Sequence, residues 1–284
     1  MNTTSLKSAL ASGEFVLAPG IQDMITAAMC NRVGFDFAYA SGYWMTASAY
    51  GLPDAGIATY TQMLDRVKTL CGFIHARVIA DADTGYGGLL NVHHTVRGFE
   101  EAGVCAIQIE DQEFPKKCGH TPFKRVLPLA DMVEKIKVAV EARRSPETLI
   151  IARTDARQTD GFEGALKRAS AYGEAGADIL FVEALESEAE MREACRRLHK
   201  PSMANMADGG LTPIRSSSSL KEIGYKMAIF PATTGLAAAR AAEIALSALK
   251  TEGTSASLDL FSFQDFNSLI GFEEVWKFER KWAR

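Results

Sequence analysis

Four times along this chain a helix-like run reaches a glycine and passes at once into an apolar, β-rich stretch. Gly34 precedes residues 35–39, Gly103 precedes 104–109, Gly176 precedes 178–182 and Gly224 precedes 225–230. Glycine there supplies the left-handed residue that closes a helix, and the apolar run after it reads as a strand covered on both faces. Less punctuated runs at 15–18, 77–80, 148–152 and 202–204 complete a set of eight candidate strands, with helical patterns between them. Capping boxes are expected at Ser187 with Glu190 and Ser219 with Glu222, and Asp160 with Glu163 is a close variant. Strand alternating with helix eight times is the count of an α/β protein of the (β/α)8 TIM barrel type. Periodicity does not show closure, so a doubly wound open sheet stands as the second architecture. No linker rich in Pro, Gly or Ser divides the chain, and residues 1–284 read as one domain.

Composition excludes several functions. Hydrophobic residues at 47% and charged residues at 23% are a globular mix, not a disordered one. A net charge of −4 without a long Lys/Arg run argues against nucleic acid or an anionic membrane as partner. No apolar stretch approaches the roughly 18 residues of a membrane span. The opening carries Thr3, Thr4, Ser5, Lys7 and Ser8 rather than the apolar block of a secretory signal, so a cytoplasmic protein is expected. The five cysteines have neither disulfide-framework nor zinc spacing. Cys30, Cys71, Cys105 and Cys195 lie in helix or strand patterns and read as packing residues.

Past the eighth unit, residues 259–284 form a surplus segment with Phe272, Val275, Phe278 and Trp282 at three- and four-residue steps. Such a stripe either folds back on its own barrel or packs on a neighbouring subunit, which implies a homo-oligomer.

Barrel chemistry sits where strands end. Those positions hold Ser41 and Gly42, Asp81 and Asp83, Glu110 and Asp111, Arg153 and Asp155, Glu183, and Asn205. Carboxylates are costly beneath a barrel mouth unless a cation satisfies them. Asp81, Asp83 and Glu110 come from adjacent strands and can converge on one point, and hard oxygen ligands suit Mg²⁺ or Mn²⁺. The alternative is that acids such as Asp111 and Asp155 only cap the next helices. After Glu110 comes a long polar loop, residues 111–128, of the kind that forms lids. Within it, Lys116, Lys117 and His120 flank Cys118, and positive neighbours are expected to lower the thiol pKa toward neutrality. Local physics leaves Cys118 open between a reactive thiol and an ordinary loop residue. Gly85 to Gly88 is a weak phosphate-loop pattern, better read as flexible backbone near a ligand, and His93 and His94 are expected at the surface.

Lys116-Lys117-Cys118-Gly119-His120 resembles the signature of the lyase branch of the isocitrate lyase/phosphoenolpyruvate mutase superfamily. Asp81-Ala82-Asp83-Thr84-Gly85, Ile109-Glu110-Asp111-Gln112, Ala152-Arg153-Thr154-Asp155-Ala156 and Gly51-Leu52-Pro53-Asp54 resemble further blocks of that family. The resemblance implies a TIM barrel whose last helix is exchanged between subunits of a homotetramer, a dimer of dimers. It implies Mg²⁺, with Mn²⁺ as alternative, and a small 2-hydroxy or 2-oxo acid substrate. By motif, Asp83 would bind the metal, with Asp81, Asp54 and Glu110 holding it or its waters. Ser41, Gly42, Tyr43, Arg153, Asn205, Gly119 and Thr233 would contact substrate. Cys118 would protonate the departing carbanion, with Lys116, Lys117, His120 and Glu183 around the reacting carbon and Tyr39 assisting at the hydroxyl.

The chain lacks the long insertions of isocitrate lyase itself. Tyr43, Phe114-Pro115, Ala204-Asn205-Met206 and residues 263–270 look more like the 2,3-dimethylmalate lyase group, which includes a plant petal death protein, than like 2-methylisocitrate lyases. Expected is cleavage of an alkyl-substituted 2-hydroxy dicarboxylate to pyruvate and a short carboxylate such as propionate. The alternatives are 2-methylisocitrate cleavage, an oxaloacetate decarboxylase or phosphonomutase-type activity, and a non-catalytic keto-acid-binding barrel.

Overall fold

The computed structural model describes residues 4–121 and 123–283; residue 122, inside the expected lid, lies outside the described residues. All eight expected strands are present: β1 (Val16–Ile21), β2 (Phe37–Ala40), β3 (Arg77–Asp81), β4 (Ala106–Glu110), β5 (Leu149–Thr154), β6 (Ile179–Val182), β7 (Met203–Asn205) and β8 (Met227–Phe230). They pair in parallel in the order β6-β5-β4-β3-β2-β1-β8-β7. A parallel bridge from Leu180 to Ser202, with Leu180 N donating to Pro201 O at 2.9 Å, joins the two ends. The sheet therefore closes into a barrel, and the open-sheet alternative falls. Six strands run further at their C-terminal ends than the apolar pattern indicates, and four of these take in a polar residue, Asp81, Glu110, Thr154 or Asn205. Ladder pairings such as Asp81 with Gln108 and Glu110 with Arg153 hold these polar residues in strand geometry despite their poor propensity.

Around the barrel run α2 (Met24–Val33), α3 (Gly42–Tyr50), α4 (Tyr60–Cys71), α5 (Leu89–Glu101), α6 (Leu129–Ala142), α7 (Gly161–Glu174), α8 (Glu188–Arg197), α9 (Ser217–Ile223) and α10 (Thr233–Glu252). The glycines that end the four punctuated helices have φ of 86°, 97°, 107° and 122°, which a side chain would strain. The core has two parts. Inside the barrel, Val16, Phe37, Tyr39, Ile79, Ile151, Phe181 and Met227 pack together, and α1 (Leu6–Ser12) closes the lower end with Leu6 and Ala9. Between strands and helices lie Met63, Val67, Val96, Phe99, Ile136, Leu166 and Met191. Each large apolar side chain so buried stabilises the fold by about 1.5–3 kcal/mol.

The caps differ from expectation in detail. Ser187 accepts from Glu190 N at 3.2 Å, but the Glu190 carboxylate turns to Arg157 at 2.7 Å instead of completing the box. The cap of α9 is Ser216, not Ser219, and it accepts from Ser219 N at 3.2 Å. Asp160 gives its carboxylate to Arg168 Nε at 2.9 Å. In two of these cases an arginine takes the carboxylate that would otherwise cap the helix.

Beyond α10, α11 (Phe263–Leu269) and α12 (Phe272–Trp282) bury no residue. The α12 stripe stays bare within one chain, with Phe278 65% and Trp282 63% exposed. The segment therefore does not bury its aromatic stripe on its own barrel. No helix of the described residues is long and apolar enough to cross a membrane.

Candidate active site

The C-terminal ends of the strands open into a cavity of about 300 Å³ that Cys118, Gly119 and His120 of the 111–128 loop help to line. This loop, called the flap, lies against the strand ends, with Lys116 and Lys124 buried. A surface groove of about 700 Å³ between α7 and α8 is larger, but it lies away from the strand ends and its Arg197 and Arg196 are paired with Glu163 and Glu193.

At the β3 end, Asp81 Oδ1 accepts from Asp83 N at 3.0 Å and from Gln108 Nε2 at 3.2 Å, and Asp81 Oδ2 accepts from Gly42 N at 3.3 Å. Asp83 has φ of +49°, an uncommon backbone state for a residue with a Cβ and one that accumulates at functional sites. The expected convergence of Asp81, Asp83 and Glu110 on one point is not assembled. Among the described residues no three His, Cys, Asp or Glu side chains are placed to hold one ion. The reason is local: Asp81 is engaged by the donors just named, and the Lys116 ammonium bridges Asp54 at 2.5 Å and Asp83 at 2.6 Å.

The donor set nonetheless fits a hard divalent cation. Both oxygens of buried Glu110 lack a hydrogen bond, their charged neighbour being Arg153 Nε at 3.4 Å from Oε2. Burial raises the carboxyls of Glu110 and Asp83, the latter to about 7, against the pull of Arg153 and Lys116. Raised, under-neutralised oxygen ligands are what a cation relieves, and Mg²⁺ needs only one or two carboxylates because it keeps several waters.

Beside Glu110 stands the Arg153 guanidinium. Arg153 grips Asp155 with two bonds, Nε to Oδ2 at 2.8 Å and Nη2 to Oδ1 at 3.0 Å, and its Nη2 lies 3.3 Å from Glu183 Oε2. Burial alone would raise the Asp155 carboxyl, but Arg153 and Lys124 hold it down to about 2. Glu183 Oε2 accepts from Asn205 Nδ2 at 3.0 Å, and its Oε1 lies 3.5 Å from His120 Nε2. Leu211 N donates to His120 Nδ1 at 3.3 Å, which assigns the Nε2–H tautomer and turns that proton toward Glu183.

The thiol corrects one expectation. Burial raises the Cys118 pKa above its ordinary 9.0, outweighing the His120 backbone N–H and Arg153, which lower it. The lysines that were to lower it are spent elsewhere: Lys116 on two carboxylates, Lys117 pointing outward at Phe123 O, 3.5 Å away. Cys118 therefore keeps its proton near neutrality and is not a thiolate.

Tyr39, Ser41, Tyr43, Asp54, Asn205 and Gly119 line the cavity. The Tyr39 hydroxyl donates to Gln108 Oε1 at 3.0 Å, and burial raises its pKa well above 10.0, so the phenol stays protonated near neutrality. Thr233 is exposed and is not among the residues lining the cavity; its hydroxyl donates to Asp208 Oδ2 at 2.6 Å. Sequence reasoning gave no site role to Lys124, Gln108 or Trp44. Gln108 lies in an apolar strand, where a polar side chain is itself the signal. Lys124 lies in a basic loop among other lysines, with no local sign of its burial.

Comparison with known proteins finds similarity along nearly the whole chain. A family model described as phosphoenolpyruvate phosphomutase matches residues 6–250. The chain is 42% identical to a 2,3-dimethylmalate lyase of Eubacterium barkeri over 100% of this chain and 99% of that protein. It is also 42% identical to a 2-methylisocitrate lyase of Aeropyrum pernix over 98% of this chain and 90% of that protein. A crystal structure of 2,3-dimethylmalate lyase superimposes with a TM-score of 0.92 at 34% identity, covering 98% of this chain and 94% of that one. A phosphonopyruvate hydrolase solved with oxalate and Mg²⁺ superimposes with a TM-score of 0.87 at 25% identity, covering 98% of each chain.

Proposed function

The chain belongs to the phosphoenolpyruvate mutase/isocitrate lyase superfamily, and from that premise we propose that it is a carbon–carbon lyase cleaving an alkyl-substituted 2-hydroxy dicarboxylate of the 2,3-dimethylmalate type. The observation that carries this reading is the Cys118 thiol, presented by the flap to a cavity that also contains Arg153, His120, Glu183 and Asn205.

Cleavage breaks the bond between the carbinol carbon and the carbon bearing the second carboxylate. The hydroxyl gives its proton to one of the strand-end acids Asp81, Asp83 or Glu110, its oxygen becomes the keto oxygen of pyruvate, and the electron pair leaves on the other carbon as an enolic carboxylate. Once Cys118 has protonated that carbon, the proton held by the acid restores the thiol. Arg153, with the Asn205 amide and the His120 Nε2–H, forms the wall that receives this growing negative charge. Burial keeps the Cys118 proton on sulfur, ready for the new carbanion, which becomes propionate or a related short acid. Tyr39 and Gln108 fix Asp81, and the flap keeps water out. Asp83, with Asp81, Asp54 and Glu110 around it, would hold Mg²⁺, which supplies Lewis-acid stabilisation of the forming carbonyl.

The lining favours an alkyl group over a third carboxylate. Trp44, Ile229, Pro231, Ala232 and Leu236 form one side of the cavity, and Lys116 is already committed to two acids. The equal identity to a 2-methylisocitrate lyase keeps that substrate as the second reading. Pyruvate release with Mg²⁺ is to be followed from 2,3-dimethylmalate, 2-methylisocitrate, isocitrate and oxaloacetate in parallel. The dimethylmalate reaction should give the highest kcat/KM and should stop on chelation with EDTA. Preference for 2-methylisocitrate would install the second reading, and release from neither would remove the lyase assignment.

The reading extends to the whole chain: one barrel, a flap at 111–128, and a C-terminal arm at 259–284 that a neighbouring subunit covers in a homotetramer. The bare aromatic stripe of α12 supports the last point.

A further inference from the structure

Lys124 is a buried lysine with no part in the chemistry above. The stem of the flap is zipped by a bridge between Gln112 and Val126 and by Glu113 N donating to Arg125 O at 2.9 Å. From the end of that stem Lys124 turns inward, its side chain 1% exposed. Its ammonium donates to the Gly119 carbonyl and, at 3.0 Å, to Asp155 Oδ1. Gly119 lies on Arg153 so closely that a Cβ there would come within 2.1 Å of the guanidinium Nη2. Asp155 is fixed from behind: its backbone N donates to Asp111 Oδ1 at 2.9 Å, while Thr154 and Tyr172 each donate to Asp111 Oδ2 at 2.7 Å. One ammonium therefore connects the tip of the flap to the rigid end of β5.

We propose that Lys124 is the positioning residue that latches the flap: by tying the Gly119 carbonyl to Asp155 it places the Cys118 thiol over the Arg153 seat. The inference rests on the proposed function only for the use made of that thiol. Burying an ammonium is expensive unless it is paired, so structural lysines are rarely placed this way. Release leaves no orphan behind, because Asp155 keeps both bonds to Arg153 and Lys124 passes into water. A pair that can part without stranding a charge is suited to a movable joint. Closure also brings a second positive charge beside Arg153, so an anionic ligand in the seat favours the shut flap.

The test uses the full-length protein without substrate, so its outcome is separate from that of the lyase assay. Alkylation of Cys118 by iodoacetamide, read by peptide mass spectrometry, should be roughly tenfold or more faster in Lys124→Met, as expected for a released local contact. Lys124→Arg keeps the charge and the donors and should stay near the wild-type rate. Arg125→Met, an exposed neighbour on the same flap, should leave the rate unchanged. Equal alkylation in Lys124→Met and wild type would overturn the latch. Lysine acylation footprinting of the wild-type protein tests the same point without a variant. Lys124 should be protected while exposed Lys117 is modified, and equal labelling of the two would overturn the proposal as well.

Discussion

At Cys118 two influences oppose each other, and burial wins over the cationic neighbours. This sets the form in which the thiol meets its substrate. Cys118→Ser replaces it with a far weaker acid of similar size. Cleavage should fall by roughly 10²–10⁴-fold, with the urea midpoint of unfolding unchanged; full activity in a folded variant would remove the proposed acid. Because the thiol titrates above 9.0, Cys118 alkylation should be slow at neutral pH and still be rising at pH 9. A plateau below pH 8 would mean a thiolate site. The motif pointed to Cys118 by its neighbours, but the sign of its pKa shift was not legible there. It depends on where the long side chains of Lys116 and Lys117 end, and they end on Asp54, Asp83 and the flap exterior.

Between elements, β4, β5 and α7 share one polar knot below the site. Asp111 receives Thr154, Tyr172 and the Asp155 amide, and Asp155 in turn holds Arg153 and Lys124. Tyr172→Phe keeps the ring and deletes one donor, so a loss of about 1 kcal/mol is expected by urea titration. Asp155→Asn leaves two cations without their carboxylate and should cost about 3 kcal/mol near neutrality. That cost should shrink in acid. The folded Asp155 carboxyl titrates at about 2 instead of 3.8, so the folded state binds fewer protons than the unfolded chain between those values. Its contribution is complete above pH 3.8 and is lost as the pH falls through 2. Thermal unfolding of both proteins from pH 5 down to pH 2 checks this, and a constant gap would contradict it. The elements themselves were legible, because a helix-closing glycine followed by an apolar run is a local pattern. Strand ends were less so: Asp81, Glu110, Thr154 and Asn205 stay in the ladder only through a neighbouring strand.

For the whole molecule, Phe272, Val275, Phe278 and Trp282 form an exposed stripe on α12, and on α10 Leu246 and Leu249 are 67% and 49% exposed. An apolar surface of this kind in one chain calls for a partner. Light scattering should find an assembly larger than a monomer, and Phe278→Asp with Trp282→Asp should shift it toward smaller species. A monomeric wild-type protein would leave the stripe without its proposed cover.

The alternation of strand and helix, the acids and the arginine at strand ends, and the thiol-bearing loop are all readable from the order of residues alone. Each of these is written in spacing and residue type over a few neighbours. Tertiary structure alone decided closure of the sheet, the ammonium of Lys116 between Asp54 and Asp83, the tautomer of His120, the chain from Tyr39 through Gln108 to Asp81, and the inward turn of Lys124. Pair distances and burial set the charge state of a group, and both are fixed by residues brought together from distant parts of the chain, such as His120 and Leu211.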